Sequence, residues 1–310
     1  MKTNIKCFLV IFFTTILQGC LDQSGSKYCP SVEPVVNVNS NFFENISQPV
    51  QYVGTSEHQL AIACHNCYEN QSEYISDSNK IIESGITNNV DFIELDIVMS
   101  DESGQEAYIS HESTSTGPLF VNVIANPLLI NATQILFLEL KGKIDIKENI
   151  RVFFESLMQH QFHDGTYAYL NSQRFTVIRS IETDKTLRQF REVLSEEKFK
   201  VIKPYIKLSR LFYPKEESKM INEIDQVHSC GFHMIELETR LGTDVIKSLA
   251  NYAKALGLAV NVFTIDDSNY ASYVGSLKRD IDVLTVENRD SNGLRNTSLF
   301  HKIREIFISD

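Results

Sequence analysis

Three short apolar runs in the first half of the chain each deliver polar groups at one end. Leu-Ala-Ile-Ala-Cys-His-Asn (60–66) ends on His65 and Asn66. Val-Asp-Phe-Ile-Glu-Leu-Asp-Ile-Val (90–98) carries Glu94 and Asp96, and Ile-Leu-Phe-Leu-Glu-Leu-Lys-Gly (135–142) carries Glu139 and Lys141. Successive strand side chains point to opposite faces. As strands, the second run therefore puts Phe92, Glu94 and Asp96 on one face and Ile93, Leu95 and Ile97 on the other. The third puts Phe137, Glu139 and Lys141 opposite Leu136, Leu138 and Leu140. A sheet covered by helices on its outside buries the Ile and Leu residues beneath them and turns the carboxylates inward.

The rest of the chain alternates between the two periods. Helical spacing predicts helices over 71–86, 146–160, 184–197, 216–228, 243–256, 268–278 and 293–307. A strand and a returning arm around a turn at 101–105 are predicted over 92–112, and further strands at 175–178, 200–208, 232–238, 259–265 and 281–286. Strands alternating with helices of this length argue for a parallel sheet. Closed on itself, that sheet is a (β/α)8 TIM-type barrel, with its chemistry at the C-terminal ends of the strands. His228 and His233, flanking Gly231, read as surface positions, and His163-Asp-Gly165 reads as a loop turn.

Gathered at one barrel mouth, Glu94, Asp96, Glu139, His65, Lys141 and His111 (in Tyr-Ile-Ser-His-Glu) form a concentration of charge that needs partners once it leaves water. A hard divalent cation, Ca²⁺ or Mg²⁺, held by Glu94, Asp96 and Glu139 would relieve the repulsion between carboxylates. Glu236 and Glu238, on one face of 232–238, would line the polar mouth and contact substrate or Lys207. Phe263, in phase with Asn261, would face the interior, either packing on a substrate ring or filling the barrel.

His65, Glu94-x-Asp96, His111 and Glu139-x-Lys141 together resemble the phospholipase-C-like phosphodiesterase superfamily, over roughly residues 58–290 and most specifically over 61–141. That resemblance implies a distorted TIM barrel, a divalent cation and phosphodiester cleavage by two histidines. Glu139-Leu-Lys141 and the late stretches 257–267 and 282–287 are similar to glycerophosphodiester phosphodiesterases, which release glycerol 3-phosphate and an alcohol. His65-Asn66 looks more like calcium-dependent phosphoinositide phospholipases C, whose Asn is a metal ligand. It departs from the glycerophosphodiesterase pattern, as do Glu112 and Phe263, where Asp and Trp are usual. The resemblance gives His65 and His111 the acid–base roles, Lys141 the charge building on the phosphoryl oxygens, and Asn66 a place beside the three carboxylates. A non-catalytic lipoprotein built on the same barrel is the rival reading from another class.

The N-terminus and the charge add an address. Lys2 and Lys6 precede an apolar core from Cys7 to Leu17, too short to span a bilayer convincingly and suited to a secretory signal. Leu17-Gln18-Gly19-Cys20 looks like a bacterial lipobox, which implies cleavage before Cys20, lipid on Cys20 and a membrane-anchored protein of the cell envelope. Residues 20–57 then read as a tether and 58–310 as the barrel. Removing residues 1–19 takes away two lysines and no acids, so the net charge of −11 becomes −13. Such a chain does not hold nucleic acid on its bulk surface; the expected partners are a phosphodiester substrate, small or lipid, and the membrane through the lipid. Of six cysteines, 29, 64, 67 and 230 are left to pair in an oxidising compartment, with three pairings open. Cys64-x-x-Cys67 alone is a weak signal for zinc or redox chemistry, and Cys64 suits the outer face of its strand.

Overall fold

The computed structural model describes residues 60–65, 67, 78–99, 106–110, 117–142, 146–159, 176–181, 184–277, 279–287 and 296–308. Within them lie nine strands: β1 (Ala61–His65), β2 (Phe92–Met99), β3 (Ala107–Ile109), β4 (Ile135–Lys141), β5 (Thr176–Ile181), β6 (Ile206–Phe212), β7 (Met234–Glu238), β8 (Ala259–Ile265) and β9 (Val283–Glu287). The sheet order is β1-β9-β8-β7-β6-β5-β4-β2, and a further β1–β2 pairing closes it into an eight-stranded parallel barrel. β3 stands outside this ring, antiparallel to β2, as the returning arm. The helices are α1 (Ser78–Thr87), α2 (Phe120–Ile124), α3 (Pro127–Asn131), α4 (Lys147–Met158), α5 (Asp184–Leu194), α6 (Glu217–Ser229), α7 (Thr243–Ala255), α8 (Tyr270–Leu277) and α9 (Thr297–Ile308). None of the described helices is long and apolar enough to cross a membrane.

Alternation divides the core in two. Ile93, Leu95, Ile97, Leu136, Leu138 and Leu140 belong to the large outer core under the helices. α1 approaches β2 so closely that a Cβ on Gly85 would lie 2.4 Å from Ile93 Cγ1. The inner face carries a separate apolar floor of Ala61, Ala63, Phe92, Ile135, Phe137, Val177, Met234, Ala259 and Val283. Small residues on β1 and β8 make room there for Phe92 and Phe137, whose rings meet at 5.5 Å. Asp91, just below β2, accepts the Ile62 backbone N–H at 2.7 Å, and Asp282, just below β9, accepts that of Val260 at 2.8 Å. These carboxylates fasten neighbouring strands where they begin.

Three expectations need correction. The sixth strand does not begin at Lys200: Lys203-Pro204-Tyr205 forms a 3₁₀ turn, because proline fixes φ and has no N–H to give a ladder. β6 instead runs on to Phe212, through Ser209 and Arg210, which in sequence read as a strand end. The stretch after β3 holds two short helices, α2 and α3, that the sequence reading did not place. His233 is half-buried, with its Nδ1 accepting the Leu208 backbone N–H at 3.2 Å.

Candidate metal and catalytic site

Register carries the inward face of every strand to the C-terminal mouth. Asp96 lies opposite Glu139 across β2 and β4, His65 opposite Glu287 across β1 and β9, and Glu236 opposite Asn261 across β7 and β8. Two irregularities of register fall at the mouth, on β5 between Ile178 and Ile181 and on β8 between Val262 and Ile265. Such bulges re-aim side chains beside sites, here Arg179 and Phe263.

Glu94, Asp96 and Glu139 each offer a carboxylate oxygen within 4.8 Å of the others. Lys141 pairs closely with Glu139 and lies 3.4 Å from Asp96. His65, 27% exposed, shares a 2.7 Å hydrogen bond through Nδ1 with Glu287, and its Nε2 is 3.8 Å from Glu94. Beneath them Arg179, 2% exposed, bonds Glu94 through Nη1 and Glu236 through Nη2 at 2.9 Å, and comes within 4.0 Å of Glu139. Its guanidinium lies over the Phe137 ring at 4.7 Å. Asn261 donates to Glu236 and to Thr285, at 2.8 Å each, completing a polar layer between mouth and floor.

The charges sort by environment. Burial alone would lower the His65 pKa, but the Glu94 carboxylate and the bond to Glu287 outweigh it and raise it to about 9. Burial raises Glu94 to about 8 against the pull of Arg179 and His65. Burial would raise Glu139 too, but Arg179 and Lys141 win and hold it at about 2. Lys141 is raised despite burial, by Asp96 and Glu139. The carboxylates of Glu94, Asp96, Glu139, Glu236 and Glu287 face the bases Arg179, Lys141 and protonated His65, an imbalance of two negative charges if all ionise. A divalent cation matches that imbalance. Glu94 Oε2, buried and without a hydrogen-bond partner among the described residues, is one oxygen positioned for it. The donor set is all carboxylate oxygen, which suits Mg²⁺ or Ca²⁺ rather than a thiolate-seeking metal.

The structure thus brings together His65, Glu94, Asp96, Glu139 and Lys141. Asn66, His111, Glu112 and Cys20 lie outside the described residues. Phe263 is inward and 8% exposed, edge-on to Tyr213 at 5.9 Å. Glu236 and Glu238 do not act as a pair at the mouth. Glu236 is fully buried and taken up by Arg179 and Asn261, out of a substrate's reach, and Lys207 is not the partner given to it. Glu238, at the rim, is bound by Arg240 through two hydrogen bonds of 2.6 and 2.9 Å. Cys64 does lie on the outer face, and it is disulfide-bonded to Cys67. The sequence reading missed Arg179, Glu287 and Thr285. Their signal was phase: Val177 and Arg179, or Val283, Thr285 and Glu287, repeat at intervals of two.

No protein-family model matches the chain, and no curated protein is detectably similar in sequence. Solved structures similar to it include a candidate glycerophosphodiester phosphodiesterase from Galdieria sulphuraria, 12% identical, with a TM-score of 0.54 over 83% of this chain and 100% of that one. A glycerophosphoryl diester phosphodiesterase from Parabacteroides distasonis is 12% identical, with a TM-score of 0.49 over 90% of this chain and 94% of that one. N-(5'-phosphoribosyl)anthranilate isomerase from Pyrococcus furiosus is also 12% identical, with a TM-score of 0.46 over 82% of this chain and 100% of that one. At 12% identity the likeness to the Galdieria sulphuraria structure supports the TIM-type barrel alone, and the reaction has to be argued from the site.

Proposed function

We propose that the chain is a metal-dependent phosphodiester hydrolase that releases glycerol 3-phosphate and an alcohol from glycerophosphodiesters. The observation that carries this reading is the convergence of Glu94, Asp96 and Glu139 with His65 and Lys141 at the C-terminal mouth of one barrel. The fold shared with glycerophosphodiester phosphodiesterases supports it at the level of scaffold. A divalent cation on the three carboxylates would supply Lewis-acid polarisation of the phosphoryl group and lower the pKa of a bound hydroxyl.

The remaining chemistry belongs to the chain. Glu287 fixes the His65 ring through Nδ1, leaving Nε2 directed toward the Glu94 side of the mouth. With Nδ1 tied to Glu287 and Nε2 facing the mouth, His65 suits the general acid that gives a proton to the departing alkoxide. His111 is then the base that takes the proton of the attacking hydroxyl, either water or the free hydroxyl of glycerol. Lys141, charged and half-buried, neutralises the non-bridging oxygens as the phosphoryl group reorganises. Arg179 holds Glu94 from below and keeps it in register with Glu139.

Product analysis tests the reading. Phosphorus NMR of glycerophosphocholine incubated with the mature protein and Mg²⁺ or Ca²⁺ should show glycerol 3-phosphate. Inositol cyclic phosphate released from phosphatidylinositol, with glycerophosphodiesters untouched, would transfer the chain to the phospholipase C side. No turnover of either would favour a binding lipoprotein.

A further inference from the structure

Arg179, Arg191 and Arg210 are all at most 3% exposed. Two of the three have carboxylate partners, Glu94 and Glu236 for Arg179 and Glu223 for Arg210. Arg191 has none among the described residues, and its Nε and Nη2 are buried without a hydrogen bond. The nearby acids are committed elsewhere, Glu192 to Lys147 and Glu196 to Arg151. A buried guanidinium without an anion is costly, so such groups ordinarily have a counter-ion or coordinate one.

Among the described residues, the surroundings of Arg191 add further bases. α5 follows β5 and runs back toward the N-terminal ends of the strands, which places Arg191, in its last turn, at floor level. There β6 begins with Ile206 and Lys207, and His233 directly precedes β7. Leu208 N–H donates to His233 Nδ1, which fixes the imidazole beside the Lys207–Leu208 backbone and leaves its Nε2 for another partner. Burial and the charges of Lys207 and Arg191 push the His233 pKa well below its ordinary value. Lys207 and His233 are half-buried, so the cluster has an edge open to solvent.

We propose that Arg191, Lys207 and His233 form a binding site for a small tetrahedral oxyanion, phosphate or sulfate, at the floor of the barrel. It lies at the opposite end from the acidic mouth and does not depend on the function proposed for that mouth. Arg191 would give the anion two buried N–H donors, with Lys207 supplying charge at the open edge. An anion there would offset the field that Lys207 and Arg191 set up at His233.

The test is thermal unfolding of the mature protein in EDTA, titrated with sodium phosphate or sodium sulfate against sodium chloride at matched ionic strength. The wild type should show a rise in Tm beyond that in chloride, growing with the logarithm of anion concentration above its dissociation constant by roughly 2–4 °C for each tenfold. Arg191→Met should remove that rise and be at least as stable as the wild type in chloride. Lys141→Ala, altered only at the mouth, should keep the rise, which separates the floor from phosphate binding at the acidic site. No rise in the wild type beyond that in chloride would overturn the proposal, as would a rise unchanged in Arg191→Met or lost in Lys141→Ala. If Arg191→Met fails to fold, Arg191→Lys replaces it, with a weakened rise expected and an unchanged one counting against the site.

Discussion

Replacing Arg179 with methionine keeps most of the side-chain volume and removes the charge that links Glu94 to Glu236. Both carboxylates are buried, and Glu236 has no solvent exposure with which to recover the lost interaction. Removing one partner of a buried ion pair typically costs about 3–5 kcal/mol, against a total stability of about 5–15 kcal/mol for a domain. The loss has a definite pH signature. Without Arg179 the folded-state pKa of Glu94 and Glu236 rises further above the unfolded value, because burial already raises both. A carboxyl with a raised folded pKa takes up a proton on folding, so its contribution is retained below the unfolded pKa and lost as pH rises toward the folded one. Glu94 is already held at about 8 in the wild type, so it is protonated in both folded proteins at lower pH. The variant's deficit should therefore widen mainly above about pH 8, by up to about 1.4 kcal/mol per pH unit, with Glu236 adding to it from its own raised value. Urea unfolding followed by circular dichroism in EDTA, at several pH values, measures this directly. The double variant Arg179→Met/Glu236→Gln should recover more than about 1 kcal/mol of the loss, since residues in one network couple by that much. A single-variant loss below about 1 kcal/mol, or a difference that does not change with pH, would refute the reasoning.

Three further outcomes follow from individual residues. His65→Ala and His111→Ala should each lower kcat by roughly 10²–10⁴, the usual worth of a positioned acid or base, with steady-state kinetics on glycerophosphocholine as the check. In buffer free of phosphate and sulfate, His233 stays neutral when folded, its pKa depressed by burial, Lys207 and Arg191. Its contribution is then present above the unfolded value of ~6.5 and lost as pH falls below it, so the stability of His233→Asn should vary less than that of the wild type between pH 7 and 5. Cys20→Ser should give a folded protein that no longer incorporates labelled palmitate or sediments with membranes; unchanged fractionation would exclude lipid at Cys20.

How much of this was legible in the chain depended on whether a residue's partner lay in the same run. Glu94 and Asp96, or Glu139 and Lys141, sit two apart in strands with clean alternation, so their shared inward face could be read directly. Arg179 follows the short run Phe-Thr-Val-Ile and reads as a strand running out into solvent. Only Glu94, on a strand 85 positions away, and Glu236 make it interior. Glu287 likewise gains its role from His65, 222 positions away, which depends on β9 pairing with β1 as the barrel closes. Glu236 and Glu238 show the opposite failure. Period two correctly gave them one face, but it could not say that two residues of rise along the strand axis separate a sealed layer from the rim. Pro204 was a local signal that outweighs the β-branched residues around it, and it moved the start of β6.

The central claim is that three carboxylates at the barrel mouth hold the cation on which phosphodiester cleavage depends. Its most direct test is turnover of glycerophosphocholine after EDTA treatment and readdition of Mg²⁺ or Ca²⁺, for the wild type and for Asp96→Asn and Glu139→Gln. The account predicts activity in the wild type that EDTA abolishes and the cation restores. Both variants should need markedly more cation or stay inactive while remaining folded. Turnover indifferent to EDTA, or variants with wild-type activity and cation dependence, would contradict it.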